Sequence, residues 1–302
     1  MKFSEQAEKF LSQGENRKRK PFRFNTLRTY RTALTRVLPL LGDLSLEVID
    51  NGVVKKVGAK LAETLSPKTV SSYVDVIKQV MSSAVDDNGN QLFPRKWNSE
   101  FLDLPTIENQ KQPTISAQKL QNAISKAGAS DKALYALLAG TGLRIAEALA
   151  LMSGKDEGIG NAWVREQSKI IVRCQRKGGT YDEITVMPTK TKAGIREVDL
   201  SPELNDYLKS IFQDAYTHMF PESVGTYRSR LAQNGITEGF HAFRRFRLTH
   251  LDSANVPQGL QRFWTGHAAG DVHESYVKSG EKLQERKEWA EKAGLGFKLE
   301  AT

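Results

Sequence analysis

Cysteine is almost missing: Cys174 is the only one in 302 residues. No internal disulfide can form, which suits a reducing cytosol and sets aside the disulfide-stapled secreted scaffolds. Long apolar runs are missing too. None reaches the roughly 20 residues that span a bilayer, and no secretory signal is visible. The chain shows no internal repeat and no low-complexity segment. It has no carboxylate, histidine or cysteine cluster at metal-ligand spacing, and no phosphate-binding glycine loop of the nucleotide-hydrolysing kind, so neither a metal nor ATP is implied. These absences lead to the expectation of a soluble cytoplasmic protein without a cofactor.

Acidic residues are also in deficit. Lysine and arginine total 44 against 35 aspartates and glutamates, a formal charge of +9, while 39% hydrophobic and 26% charged residues are ordinary for a globular chain. Such an excess favours a polyanionic partner, nucleic acid before membrane. The charge is uneven: residues 1–36 hold ten basic and three acidic side chains, including the run Arg17-Lys18-Arg19-Lys20. That segment reads either as solvated chain or as a DNA contact.

The length suggests two domains. In "NTLRTYRTALTRVLPLL", Leu27, Tyr30, Leu34, Val37, Leu38 and Leu41 fall at helical spacing after Asn25 as a cap, with Arg28 and Arg31 on another face. "LEVIDNGVVKKVGAKLAETL" supplies a further helix. "SPKTVSSYVDVIKQVMSSAV" supplies another, capped by Ser66 with Pro67 in the first turn and an apolar face of Val70, Tyr73, Ile77, Met81 and Ala84. Polar, proline-bearing sequence follows, which places an all-helical domain at 1–104, with a basic segment at 1–24, and a linker at 105–114. Beyond it, "SDKALYALLAGTGLRIAEALALM" reads as buried helix, "KIIVRCQ", "DEITVMPTKT" and "IREVDLS" read as strands, and helices return from Pro202. The expected fold is mainly α with a small antiparallel sheet, making 115–302 an α+β domain.

Four stretches combine residue types suited to anion chemistry: Arg144 with Glu147 in "TGLRIAEALAL"; Lys190 in "PTKTKAGIREV"; His241 and Arg244 at i, i+3 in "FHAFRRFRLTHL"; and His267, nine residues before Tyr276, in "FWTGHAAGDVHESYVK". A guanidinium keeps its proton at any working pH, so Arg144 needs negative charge or water. Glu147 supplies part of it and leaves donors over.

In this order and context the stretches resemble the tyrosine recombinase (phage integrase) family over nearly the whole chain. That resemblance implies an N-terminal core-binding (SAM-like) domain and a catalytic domain that clamp a DNA duplex, and a site-specific recombinase that cleaves and rejoins DNA without metal or ATP. It implies Tyr276 as nucleophile forming a 3′-phosphotyrosyl link, and Arg144 and Arg244 as a clamp on the scissile phosphate. His241 would be the base, Lys190 the acid for the leaving 5′-oxygen, His267 a ligand of a nonbridging oxygen, and Glu147 the support of Arg144. Lys192, two residues on, shares the strand face of Lys190 and stands beside it as the alternative lysine or as a DNA contact. Arg28, Arg31, Lys68, Arg245 and Arg247 are the other expected DNA contacts, with His250 near them. The implied partners are double-stranded DNA with an inverted-repeat core site and further copies of the chain, forming a tetramer on DNA, with room for accessory DNA-bending proteins and no membrane. The tail at 280–302, with Trp289 beside an apolar stripe of Leu283, Ala290, Ala293 and Phe297, is expected to dock on a neighbouring subunit. DNA relaxation of the type IB topoisomerase kind and a non-catalytic DNA-binding regulator are the alternatives.

Overall fold

The computed structural model describes residues 1–107, 112–154, 156, 158, 160–177, 186–189, 192–212, 217–267 and 281–299. The chain divides into two compact units, Met1–Lys111 and Gln112–Thr302.

The first unit is helical among its described residues: α1 (Phe3–Glu15), α2 (Phe24–Leu41), α3 (Asn51–Ala62), α4 (Pro67–Ser82) and the single turn α5 (Ser99–Leu102). The central element is α4, on which α1, α2 and α3 all pack. Ser66 Oγ accepts from the Thr69 amide and Pro67 occupies the first helical position, as its sequence predicts. Val70, Ile77 and Met81 are buried against Phe10, Leu34, Val37 and Val54. Two details differ from expectation. The Arg23 carbonyl already accepts from the Leu27 amide, so α2 starts at Phe24 and Asn25 lies in its first turn rather than at the cap. The N-terminal segment contains a true helix, because Phe3, Ala7 and Phe10 form one buried stripe ahead of the Arg17–Lys20 run.

The second unit is built around α7 (Ala129–Thr141), whose Leu134, Tyr135, Leu137 and Leu138 are all inaccessible to solvent. Burying each such side chain contributes roughly 1.5–3 kcal/mol. Around it lie α6 (Ala117–Lys126), the single turn α8 (Ile145–Ala148), α9 (Pro202–Ile211), α10 (Val224–Gln233), α11 (His241–Ser253), α12 (Gln258–Thr265) and α13 (Leu283–Ala293). The strands are β1 (Leu151–Ser153), β2 (Asn161–Val164), β3 (Lys169–Val172), β4 (Cys174–Arg176), β5 (Val186–Pro188), β6 (Arg196–Asp199) and β7 (Thr217–His218). One sheet runs β6-β3-β2-β1-β7, and β4 and β5 form a separate antiparallel pair.

The larger sheet is mixed rather than purely antiparallel: β1 and β2 run parallel, with Leu151 opposite Asn161. Between them, Gly154, Gly158 and Gly160 have positive φ (89°, 77° and 78°), a conformation that glycine adopts readily.

The described part of the tail packs on its own domain. Arg286 donates from Nε to Asp199 Oδ2 (2.8 Å) and from Nη2 to Glu197 Oε2 (2.5 Å), anchoring α13 on β6. Ala290, Ala293, Leu295 and Phe297 are buried in the same core as α7. Two carboxylates on one strand give Arg286 a partner within the domain, and Trp289 half-buries beside that core.

Candidate active site

Gly142 follows α7 in the left-handed region (φ 69°) and turns the chain out of the helix. Residues 141–151 are therefore not one continuous helix. Arg144 stands just before α8, and β1 begins at Leu151. Arg144 and Glu147 are paired all the same. The Arg144 amide donates to Glu147 Oε2 (2.9 Å) and Arg144 Nη1 to Oε1 (2.8 Å). The i, i+3 contact arises from helix-start capping, which uses one guanidinium nitrogen of Arg144.

A second arginine meets the same carboxylate. Arg196, the first residue of β6, donates from Nη2 to Glu147 Oε2 (2.9 Å) and from Nη1 to Oε1 (3.3 Å). Glu147 is 2% exposed. Burial pushes its carboxyl up, but Arg196 and then Arg144 outweigh that effect and hold it below the ordinary glutamate range. The backbone is fixed by fully buried Asn161, which donates from Nδ2 to Glu147 O (2.7 Å) and Cys174 O (3.1 Å). Asn161 Oδ1 accepts from the amides of Arg173 (2.7 Å) and Cys174 (2.9 Å).

From α11, Arg244 reaches the other side of this turn. Its Nη1 donates to Gly142 O (2.9 Å) and its Nη2 to Thr265 O. Arg244 Nη2 also lies 3.0 Å from His267 Nε2. An arginine nitrogen only donates, so Nε2 accepts and the ring proton sits on Nδ1, 3.3 Å from Thr265 Oγ1. Burial and then the Arg144 charge push Arg244 down to about 10, which leaves it charged at neutral pH. His267 is pushed down by burial and then by Arg244, Arg144 and Arg196. His241, at the start of α11 and one turn before Arg244, is pushed down by burial and then by Arg245, Arg244 and Arg144. Two guanidiniums thus share one carboxylate and a third, Arg244, lies within its electrostatic reach, beside two imidazoles that favour their neutral forms. That surplus of positive charge suits an oxyanion.

No family model matches the sequence, and no curated protein matches it. Solved structures do match. The integrase of transposon Tn1549, in complex with transposon right end DNA, superposes with a TM-score of 0.67 at 18% identity, covering 96% of this chain and 94% of that one. A lambda integrase dimer bound to a COC′ core site gives 0.61 at 15% identity, covering 93% and 97%. A lambda integrase tetramer bound to a Holliday junction gives 0.58 at 15% identity, covering 89% and 77%. The chain has the tyrosine recombinase fold.

Within this recombinase fold, Arg144, Glu147, Arg244 and His267 come together, and His241 lies in their electrostatic field. Tyr276 and Lys190 lie outside the described residues. Lys192 opens the short 3-10 helix Lys192–Gly194. No group of three or more histidine, cysteine or carboxylate residues among those described is placed to hold a metal ion.

Sequence reasoning missed Arg196 and Asn161. A signal for Arg196 existed, since Arg196 and Val198 of β6, with Leu200 just after it, alternate as buried positions. Arg247 needs correction as a DNA contact. It is buried and directed at the end of α13, where its Nη1 donates to Gly294 O (2.6 Å). His250 Nε2 likewise donates to Ala293 O (2.7 Å). Both side chains face the carboxyl end of α13, where donors complement exposed carbonyls. Arg245 is half-buried and donates to Pro113 O (2.8 Å). Arg28, Arg31 and Lys68 are exposed on the first unit.

Proposed function

We propose that this protein is a site-specific DNA recombinase that cleaves and rejoins DNA through a 3′-phosphotyrosyl intermediate. The observation that carries the reading is that the Arg144–Glu147 pair and the Arg244–His267 pair stand close enough for the Arg144 charge to act on both Arg244 and His267, in a fold also seen in integrases bound to DNA.

In this reading Arg144 and Arg244 bind the scissile phosphate and stabilise the charge that builds on its equatorial oxygens during attack. Tyr276 Oη forms the new bond to phosphorus and gives its proton to His241. Lowered by burial and by the neighbouring arginines, His241 is neutral at working pH and able to accept it. The bond to the 5′-oxygen breaks, and that oxygen takes a proton from Lys190, with Lys192 as the alternative donor. The phosphotyrosyl link conserves the bond, so reversal with a new 5′-hydroxyl rejoins the strand. For His267 to bond a nonbridging oxygen it takes the other tautomer, in which Nε2 carries the ring proton and donates it to the phosphate in place of the Arg244 contact. Four protomers on two inverted-repeat core sites would exchange strands in pairs. Arg28, Arg31 and Lys68 of the first unit, with Lys192 and Arg245 of the second, would contact the DNA backbone. Among the described residues no helix is long and apolar enough to cross a membrane.

Covalent trapping tests this. The protein is incubated with sheared DNA from its own source and denatured, and the ends of protein-linked fragments are sequenced, with Tyr276→Phe as control. Tyr276-dependent adducts sharing an inverted-repeat core are the expected result. Adducts without shared sequence would replace the recombinase with DNA relaxation. Binding without any adduct would replace it with a non-catalytic regulator.

A further inference from the structure

Arg196 lies inside the site without opening onto it. Its side chain is 1% exposed. Of the five N–H groups of a guanidinium, four are engaged: Nε with Trp264 O (2.6 Å), Nη1 with Gly194 O (2.9 Å) and Glu147 Oε1 (3.3 Å), and Nη2 with Glu147 Oε2 (2.9 Å). Such a group has little left for a ligand. Its acceptors sit on three separate segments. Glu147 holds Arg144. Gly194 closes the short helix that follows Lys190. Trp264 lies in the last turn of α12, three residues before His267.

The chain is fitted around this guanidinium. Gly266 adopts φ 67°, and a Cβ there would stand 2.9 Å from Arg196 Nη1 and 3.0 Å from Ala193 O. The residue before His267 therefore has no room for a side chain, because Arg196 occupies the space.

Charge makes the arrangement more than a tether. Glu147 is buried and ionised, and a buried carboxylate draws in whatever cation it can reach. Among the described residues, Arg144 and Arg196 are the two side chains that pair with it. With Arg196 occupying both carboxylate oxygens, Arg144 needs to give only Nη1. Without Arg196, the carboxylate would take Arg144 end-on with both terminal nitrogens, the strong bidentate geometry.

We propose that Arg196 is a positioning residue of the anion site. It neutralises Glu147, so that Arg144 keeps its remaining donors and its charge for a phosphate, and its Nε ties down the segment that leads to His267. This rests on the recombinase reading only in naming that phosphate as the scissile phosphate of DNA.

Two readouts separate the inference from that reading. The first is cleavage of a nicked duplex carrying the core sequence recovered by trapping, compared among wild type, Arg196→Met and the double variant Arg196→Met/Glu147→Gln, with thermal melts as a folding control. Arg196→Met should slow cleavage about 10²-fold or more. Removing the carboxylate charge as well should restore about 10-fold of that loss, because nothing then captures Arg144. A purely structural role would make the double variant no faster than the single one, and that result overturns the proposal, as does wild-type cleavage by Arg196→Met. The second readout needs no DNA. Inorganic phosphate is titrated into ¹⁵N-arginine-labelled protein while the Arg144 and Arg244 side-chain resonances are followed. Both should shift in the wild type, and only Arg244 in Arg196→Met. Should Arg196→Met fail to fold, Arg196→Lys serves, with a weakened Arg144 response expected; an unchanged Arg144 response overturns the proposal. A wild type that forms no adduct yet gives these phosphate responses would lose the recombinase reading and keep the positioning role.

Discussion

Arg244 Nη2 lies 3.0 Å from Nε2 of His267, which fixes the histidine as neutral and as the acceptor. Protonating that nitrogen would set two donors and two positive charges against each other. Burial and the arginines push the folded-state value of His267 below the ordinary one. A histidine depressed in this way contributes stability above its unfolded pKa and loses that contribution as pH falls through the lower folded value. His267→Asn offers a neutral acceptor that does not titrate. Between about pH 8 and about pH 5 the wild type should therefore lose more melting temperature than His267→Asn. His267 is only partly withdrawn from water, which screens the interaction, so the difference should be only about 1–2 °C. Identical losses in the two proteins would show that the contact carries no charge penalty.

His241 offers a kinetic counterpart. As the base it must be unprotonated, and its surroundings push it in that direction. Cleavage of the nicked duplex should hold a plateau through neutral pH, and its acid limb should lie below the pH at which an unperturbed histidine titrates. His241→Ala should lower the rate about 10²–10⁴-fold and remove that limb. An acid limb retained by His241→Ala would assign it to another group.

Gly142 and Gly266 form a matched pair, with φ of 69° and 67° but different surroundings. A Cβ at Gly142 would meet nothing closer than 3.4 Å, whereas one at Gly266 would press on Arg196 and Ala193 at 2.9–3.0 Å. Gly142→Ala should cost about 1–2 kcal/mol from backbone strain alone and leave cleavage near wild type. Gly266→Ala adds displacement of Arg196, so it should lower cleavage about 10-fold or more with DNA binding retained. Equal effects on cleavage would place the importance of both glycines in the backbone rather than in the site.

Where the chain's local physics and its packing agree, the sequence is readable. The cap, first-turn proline and apolar face of α4 are all visible in "SPKTVSSYVDVIKQV", and the buried character of α7 in "KALYALLAG". The Arg144–Glu147 pair was visible too, although helical spacing named the right partner for a different local reason, since Gly142 breaks the helix. Other features were hidden by length and by charge. β1 and β2 are three and four residues long, too short to show a period. In α1, the Phe3, Ala7 and Phe10 stripe was overshadowed by the basic run after it. Arg196 and Arg247 were passed over as buried residues because a charged side chain is expected outside. Yet Arg247 lies three residues from buried Arg244 on the same helix face, and Arg196 alternates with Val198. Long-range partners, Glu147 for one and Gly294 for the other, make that burial stable, and no local pattern announces them.

The tail makes the last case. Arg286 meets Asp199 and Glu197, and Asp199 Oδ2 also accepts from Trp264 Nε1 (2.7 Å), so α13 and α12 are tied through one buried carboxylate. Removing one partner of a buried pair strands the other, a loss of about 3–5 kcal/mol. Arg286→Ala should therefore lower the melting temperature by roughly 6–20 °C and expose the chain after residue 281 to limited proteolysis. The pH dependence carries a sign. Burial pushes Glu197 up, but Lys169 and Arg286 outweigh it and hold the carboxyl below its ordinary value. That contribution is present above the unfolded carboxylate pKa and lost as pH falls through the folded one. Acidification below about pH 4.5 should accordingly destabilise the wild type more steeply than Arg286→Ala. Proteolysis of the wild-type tail as rapid as that of Arg286→Ala at neutral pH would mean that the tail leaves its own domain in solution and that the Arg286 anchor does not hold it there.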